Sequence, residues 1–310
     1  MTTNSVRPEL VEGLLFFLFQ RRKEGSAGLR RAQPERRLGT AFLLLLAGCS
    51  NSPLLPTSRI VSTNPCLDAI LVELVPPQRI AAISHFSQDP RSTSMPLSLA
   101  RRFRATGGTA EEVIALKPGL VLASSYTPAA TLAAYRRLGV KVASFGIAST
   151  IEENKAQIRA IASAVGAPER GETLVARIDQ AVAEAAPPDG ARPSVLLWLG
   201  GGNLVNGRGT LIDDLLARAG FRNASADYGV RQTGALPLEY VVARPPRVVL
   251  TPERGVGEEG RRVALRIRAL SASKAKVTIG HFPERLFYCG GPSIIPAMQR
   301  LAAIRRQAAP

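Results

Sequence analysis

The stretch Thr109–Leu122, TAEEVIALKPGLVL, is echoed by Leu236–Leu250, LPLEYVVARPPRVVL. Each reads as a short helix with an acid near its start, then a basic residue with proline, then an apolar run. Proline just past the helix cannot continue it, and an apolar run without polar alternation is a strand covered on both faces. The same phrase given twice in one chain predicts two equivalent α/β halves.

The rest of the chain keeps this rhythm. Strands are expected at Arg59–Ser62, Arg79–Ser84, Gly119–Ala123 and Val140–Ser144, with helices at Pro65–Leu74 (opened by Asn64), Thr109–Leu116 and Pro128–Leu138. The alternation then breaks. Thr150-x-x-Glu153 is a capping-box pattern, and apolar residues follow at Ile158, Ile161, Ala162 and Val165. After Gly166-Ala167-Pro168 a second helical pattern runs through Leu174, Ile178, Ala181, Val182 and Ala185, ended by Pro187-Pro188-Asp189-Gly190. Strands at Ser194–Leu199, Val248–Thr251 and Lys276–Gly280 and helices at Thr210–Ala219, Leu238–Ala243, Gly260–Leu270 and from Pro292 complete the pattern. The expected division is one α/β lobe over 59–149, a long helical backbone over 150–188, and a second lobe over 189–310.

Residues 1–48 stand apart. Arg36-Arg37, an apolar run Leu38–Leu46 and Ala47-Gly48 before Cys49 have the order of a secretory signal. The run falls short of the about 20 apolar residues that span a bilayer. The first 35 residues are a long lead, consistent with a translation start nearer Arg36. Leu46-Ala47-Gly48-Cys49 resembles a bacterial lipobox, which implies cleavage before Cys49, lipidation of its sulfur, and a Ser/Pro-rich tether over 49–58. Residues 1–48 hold eight Lys/Arg against four Asp/Glu, +4 of the formal +16, leaving +12. The arginines are scattered in pairs, without helix-turn-helix or zinc-finger spacing, so a solvated basic surface is expected and no nucleic acid partner. Cys66 and Cys289 could pair in an oxidising compartment, but buried free thiols are the expectation. With only His85 and His281 in the chain, a multi-histidine metal site is not expected.

Arg59-Ile60-Val61-Ser62 with Asn64-Pro65, then Ala115-Leu116-Lys117-Pro118 before an apolar strand, then Leu138–Val142 leading into Thr150–Glu153, resemble the substrate-binding proteins of ATP-driven importers for cobalamin and ferric siderophores. The resemblance covers about residues 59–306. It implies a class III periplasmic binding protein: two Rossmann-like lobes with parallel sheets on a helical backbone. It also implies a monomer that captures cobalamin or a ferric siderophore or heme-type chelate and delivers it to an ABC permease in the inner membrane. In that family one glutamate per lobe docks onto permease arginines; by position these are Glu111 and Glu239. A carboxylate in a first helical turn is favoured by the helix dipole. An ordinary first-turn glutamate is the alternative for each, and the docking role is preferred because both repeats carry one.

The ligand cleft would lie beyond the carboxyl ends of the strands. Loops there carry Asn64, Pro65, Cys66, His85, Phe86, Ser125 and Tyr126 from the first half, and Trp198, Gly202, Asn203, Tyr228, Arg254 and Tyr288 from the second. Trp198 is as much a core candidate as a ligand contact. His85 is a candidate axial ligand for a chelated metal, but a plain hydrogen-bonding loop residue is the stronger expectation. No Gly-x-Ser-x-Gly elbow occurs. Gly200–Val205 has Val205 where a dinucleotide loop needs glycine, and after Gly202 and Gly207 the phosphate-loop lysine is replaced by Arg208. No catalytic residues, cofactor or resident metal are expected; a chelatase-like enzyme or a non-transport envelope lipoprotein of the same fold are the alternatives.

Overall fold

The computed structural model describes residues 58–188, 190–200, 202–252, 257–272 and 276–308. The expected signal segment, Cys49 with nearly all of its tether, and Arg254 lie outside the described residues.

Two parallel sheets organise the chain. In the first, β1 (Ile60–Ser62), β2 (Ile80–Ser84), β3 (Ala105–Thr106), β4 (Leu120–Ser124) and β5 (Lys141–Phe145) lie in the order β3-β2-β1-β4-β5. In the second, β6 (Ser194–Leu197), β8 (Arg222–Asn223), β10 (Val248–Thr251) and β11 (Thr278–His281) lie in the order β11-β10-β6-β8. A small antiparallel ribbon of β7 (Leu204–Val205) and β9 (Gly234–Ala235) caps the second lobe. Successive strand side chains face opposite sides, and both sides are filled. Ile60, Leu120 and Leu122 point into one core and Val61, Val121 and Ala123 into another. In the second lobe Val195, Leu197, Val248 and Leu250 join the first of these cores, while Leu196, Trp198 and Val249 form an outer one. The inner faces of both sheets therefore share a single core.

That core is filled by helices. α1 (Pro65–Leu74) starts at Asn64, whose side chain accepts from Cys66 N and Leu67 N, with proline at the first helical position. α2 (Leu97–Ala100), α3 (Ala110–Ala115) and α4 (Ala129–Arg137) complete the first lobe. α5 (Ile151–Ala164) is capped by Thr150, which accepts from Glu153 N; the glutamate reaches back to Ser149 N at 2.7 Å. The connecting segment is a two-helix hairpin rather than one long strut. Gly166 takes φ 70°, the left-handed conformation that ends a helix, and α6 (Pro168–Ala185) packs back on α5. At Gly171 an added Cβ would lie 2.5 Å from the Ala162 Cβ, so glycine is what lets the helices approach. The 18 residues of α6 give about 27 Å of rise, with Leu174, Val175, Ile178 and Ala181 buried. Lys155–Asp179 at 2.7 Å and Arg159–Glu172 at 2.8 Å stitch its outer side, where solvent screens them and they add little. α7 (Leu211–Arg218), α8 (Leu238–Ala243), α9 (Gly257–Ser271) and α10 (Ile294–Ala308) belong to the second lobe, and α10 also packs on α6. No helix among the described residues is long and apolar enough to cross a membrane.

Candidate functional site: the interlobe cleft

In each sheet the strand order reverses once, between β1 and β4 and between β6 and β10. At such a reversal the neighbouring connections leave to opposite faces and open a crevice beyond the strand ends. The loops there are Thr63–Cys66 and Ser125–Thr127 in the first lobe, and, among the described residues, Leu199, Gly200, Gly202 and Pro252 in the second.

The first-lobe wall is set from below by Asp68. This side chain, on α1, is fully buried. Its Oδ2 accepts from Ser84 N at 2.8 Å and from Ser87 Oγ at 2.7 Å. The two donors bracket His85 and Phe86, so one carboxyl group fixes the turn that carries them. Burial pushes the Asp68 pKa up to about 8, against the lowering effect of Ser62, Ser87 and Ser84. Oδ1 has no hydrogen-bond partner, which fits a neutral acid. An aspartate within the apolar run Cys66–Val72 is the signal that marks it in the sequence.

Above this support, His85 and Phe86 are exposed with ring centroids 4.1 Å apart. His85 Nδ1 is 3.2 Å from Thr106 O, a carbonyl that can only accept, so Nδ1 is the donor in this contact. Beside it a cavity of about 340 Å³ is lined by Arg104, Thr106, Gly107 and Glu112. Hydrogen bonds from Thr106 Oγ1 and Gly107 N hold the Glu112 carboxyl below its ordinary range. Ser125 is exposed, its amide bonded to Phe145 O, and Tyr126 keeps 49% of its surface open.

The second-lobe wall is an aromatic ladder that leads out of the core. Buried Phe282 stacks on Phe287 at 6.3 Å, and Phe287 meets Tyr288 edge-on at 5.0 Å. Tyr288 is 42% exposed. Its hydroxyl is bonded to Glu284, and burial together with the nearby carboxylates of Glu284, Glu259 and Asp89 holds it protonated. The Tyr288 backbone oxygen lies 3.8 Å from Cys66 Sγ, so this residue sits beside the first lobe. Burial and Glu259 raise the Glu284 carboxyl.

Several expected contacts are placed differently. Trp198 is fully buried in the outer core of the second lobe, with the Arg266 guanidinium 5.0 Å from its ring, and is no cleft residue. Arg266 also donates to the carbonyls of Gly200 and Gly202, so this glycine-rich loop is held by its oxygens. Asn203 O accepts from Leu236 N, which anchors the β7–β9 ribbon. Tyr228 packs on the outer core, its hydroxyl donating to Arg244 O at 2.5 Å and its ring facing Arg244. Cys66 is not a free thiol: it is bonded to Cys289, with Cα atoms 5.1 Å apart. Asn64 uses its side chain as a cap, and Pro65 lies in the turn it starts. The structure thus gathers Asn64–Cys66 with Tyr288, and keeps Trp198 and Tyr228 away. Glu111 and Glu239 are both exposed at the second helical position of α3 and α8. No group of three or more His, Cys, Asp or Glu is arranged for a metal ion among the described residues.

Comparison with known proteins places this architecture. A search of curated proteins finds no match. The chain is similar to the periplasmic heme-binding protein RhuT from Roseiflexus sp. RS-1 in apo form, at 27% identity and TM-score 0.68, over 82% of this chain and 100% of that one. It is similar to periplasmic heme-binding protein BhuT in complex with two hemes, at 26% identity and TM-score 0.63, over 80% of this chain and 98% of that one. It shares its fold with the periplasmic vitamin B12 binding protein BtuF of Vibrio cholerae, at 19% identity and TM-score 0.62, over 82% and 98%. A family model described as periplasmic binding protein matches residues 60–274. With two parallel lobes on a helical backbone and a match over most of its length, the chain belongs to the periplasmic binding protein family.

Proposed function

We propose that the chain is the ligand-capturing component of an ABC importer and that it holds a flat metal chelate of the heme type in the cleft. The observation that carries this is a set of open aromatic rings on the loops that follow the strands: Phe86 with His85 after β2, Tyr126 after β4, and Tyr288 after β11. Large aromatic side chains bury 150–250 Å² each when they can, and rings left open around one crevice suit a flat apolar face. A chelate brings its metal as cargo. His85 offers Nε2 to such a metal, since its other nitrogen is turned to a backbone carbonyl. Tyr288 is the poorer ligand, because its acidic neighbours disfavour the phenolate. Two solved relatives above 25% identity are heme-binding proteins, which supports the heme class over the corrinoid one. Glu111 and Glu239, one per lobe, present the loaded protein to permease arginines through charge-assisted contacts. A lipid on Cys49 would hold it to a membrane on the periplasmic side.

The test is titration with hemin, cyanocobalamin and ferric siderophores, read by visible absorption and by thermal melting. Hemin should produce a saturable Soret change, and at 100 times its Kd should stabilise by about 2.7 kcal/mol. No change with hemin, or a larger one with cyanocobalamin, overturns the heme assignment.

A further inference from the structure

The Cys66–Cys289 bond ties the two lobes together at the floor of the cleft. Cys66 lies in the first turn of α1, at the end of β1; Cys289 lies in the loop that ends the second-lobe aromatic ladder. The chain after Cys289 is wedged under the first lobe and the hairpin. Gly291 N donates to Asn154 Oδ1 at 2.7 Å, and Ser293 Oγ donates to Cys289 O at 2.7 Å. Neither glycine there can gain a side chain in place: a Cβ on Gly290 would lie 2.1 Å from Asn154 Nδ2, and one on Gly291 would lie 2.6 Å from Ile70 Cγ1. Immediately before Cys289, Tyr288 reaches the cleft, and its backbone oxygen is 3.8 Å from Cys66 Sγ.

We propose that this bridge is a positioning device for binding: it fixes the Tyr288 ring across from the loop after β1 and limits the motion of one lobe against the other. The hairpin core lies behind the cleft and leaves a tilt about itself open. A covalent tie beside the ligand loops closes that freedom, so the cleft is pre-organised for a rigid ligand and need not close around it. Pre-organisation of this kind acts on the rate of ligand escape more than on capture.

The experiment compares wild-type protein, wild type reduced with a phosphine while folded, and the Cys66→Ser/Cys289→Ser variant. In ligand-free protein, hydrogen exchange at residues 287–291 under native conditions should speed up by about tenfold or more once the tie is gone. The second arm rests on the cleft being the binding site. There the dissociation rate of hemin, or of cyanocobalamin if that is what binds, should rise by about tenfold with a smaller change in association. A bridge that contributed only global stability would lower the melting temperature and leave native-state exchange at 287–291 as in wild type; that result overturns the proposal. If neither probe binds wild type, the ligand reading fails while the exchange arm still decides the tie. Reduction of folded wild type, with circular dichroism to confirm that it stays folded, covers a variant that does not fold.

Discussion

Replacing Asp68 by asparagine should make this protein more stable at alkaline pH. Asparagine keeps the shape of a neutral acid. Its Oδ1 can accept from Ser84 N and Ser87 Oγ, and its amide can donate toward Ser62. In wild type the folded pKa is about 8 against an ordinary 3.8. Between those values the folded state keeps a proton that the unfolded chain has lost. The contribution of this group is therefore complete below about pH 4 and is lost as pH rises toward 8, at about 1.4 kcal/mol per pH unit. By pH 9 the accumulated loss is about 6 kcal/mol, a large share of an ordinary domain's stability. Asparagine does not titrate. Urea unfolding followed by circular dichroism at pH 4.5, 6, 7.5 and 9 should show the two proteins nearly equal at the acid end. The variant should lead by several kcal/mol at the alkaline end. Every other titrating group cancels in the difference, so a constant offset across the range would refute the buried neutral acid.

Charge reversal of both docking candidates, Glu111→Arg with Glu239→Arg, should abolish uptake by cells carrying the cognate permease and leave hemin affinity in solution within about twofold, since both side chains are exposed at helix starts; a matching loss of affinity would remove them from the docking role. Gly207→Ala should destabilise by at least about 3 kcal/mol, because the new Cβ would sit 2.0 Å from the Gln232 carbonyl carbon; an unchanged urea midpoint would show that the β7–β9 ribbon yields easily.

Local chemistry made much of this fold readable. Asn64-Pro65 and Thr150-x-x-Glu153 start their helices where the capping pattern puts them, and the apolar runs at Leu120 and Val248 are central strands in parallel register with β1 and β6. The paired glutamates of the repeated phrase fall at equivalent helical positions. What stayed hidden depends on partners far along the chain. Cys66 and Cys289 are separated by 223 residues, and nothing near either cysteine signals the other. Trp198 and the glycines after it resemble ligand-facing chemistry because the partner that claims them, Arg266, sits on a helix much later in sequence. The edge strand Ala105–Thr106 is too short for any periodicity to show. Asp68 carries a signal of its own, an acid inside an apolar run, but nothing in that run shows that Ser84 and Ser87 lie over it.

The shared core sets the order in which this chain can finish folding. Ala297, Met298, Leu301 and Ile304 of α10 bury themselves with Ile60, Leu71, Leu174 and Val195, residues drawn from both lobes and from the hairpin. Neither sheet can close its inner face until residue 304 has been made. A nascent chain that has completed only the first lobe still lacks part of the cover over its apolar surface, and it stays loose until α10 has been made. Fragments cut anywhere before α10 should behave as collapsed, sticky intermediates rather than as small domains, and exchanging one lobe between relatives would mean exchanging its share of α10 as well.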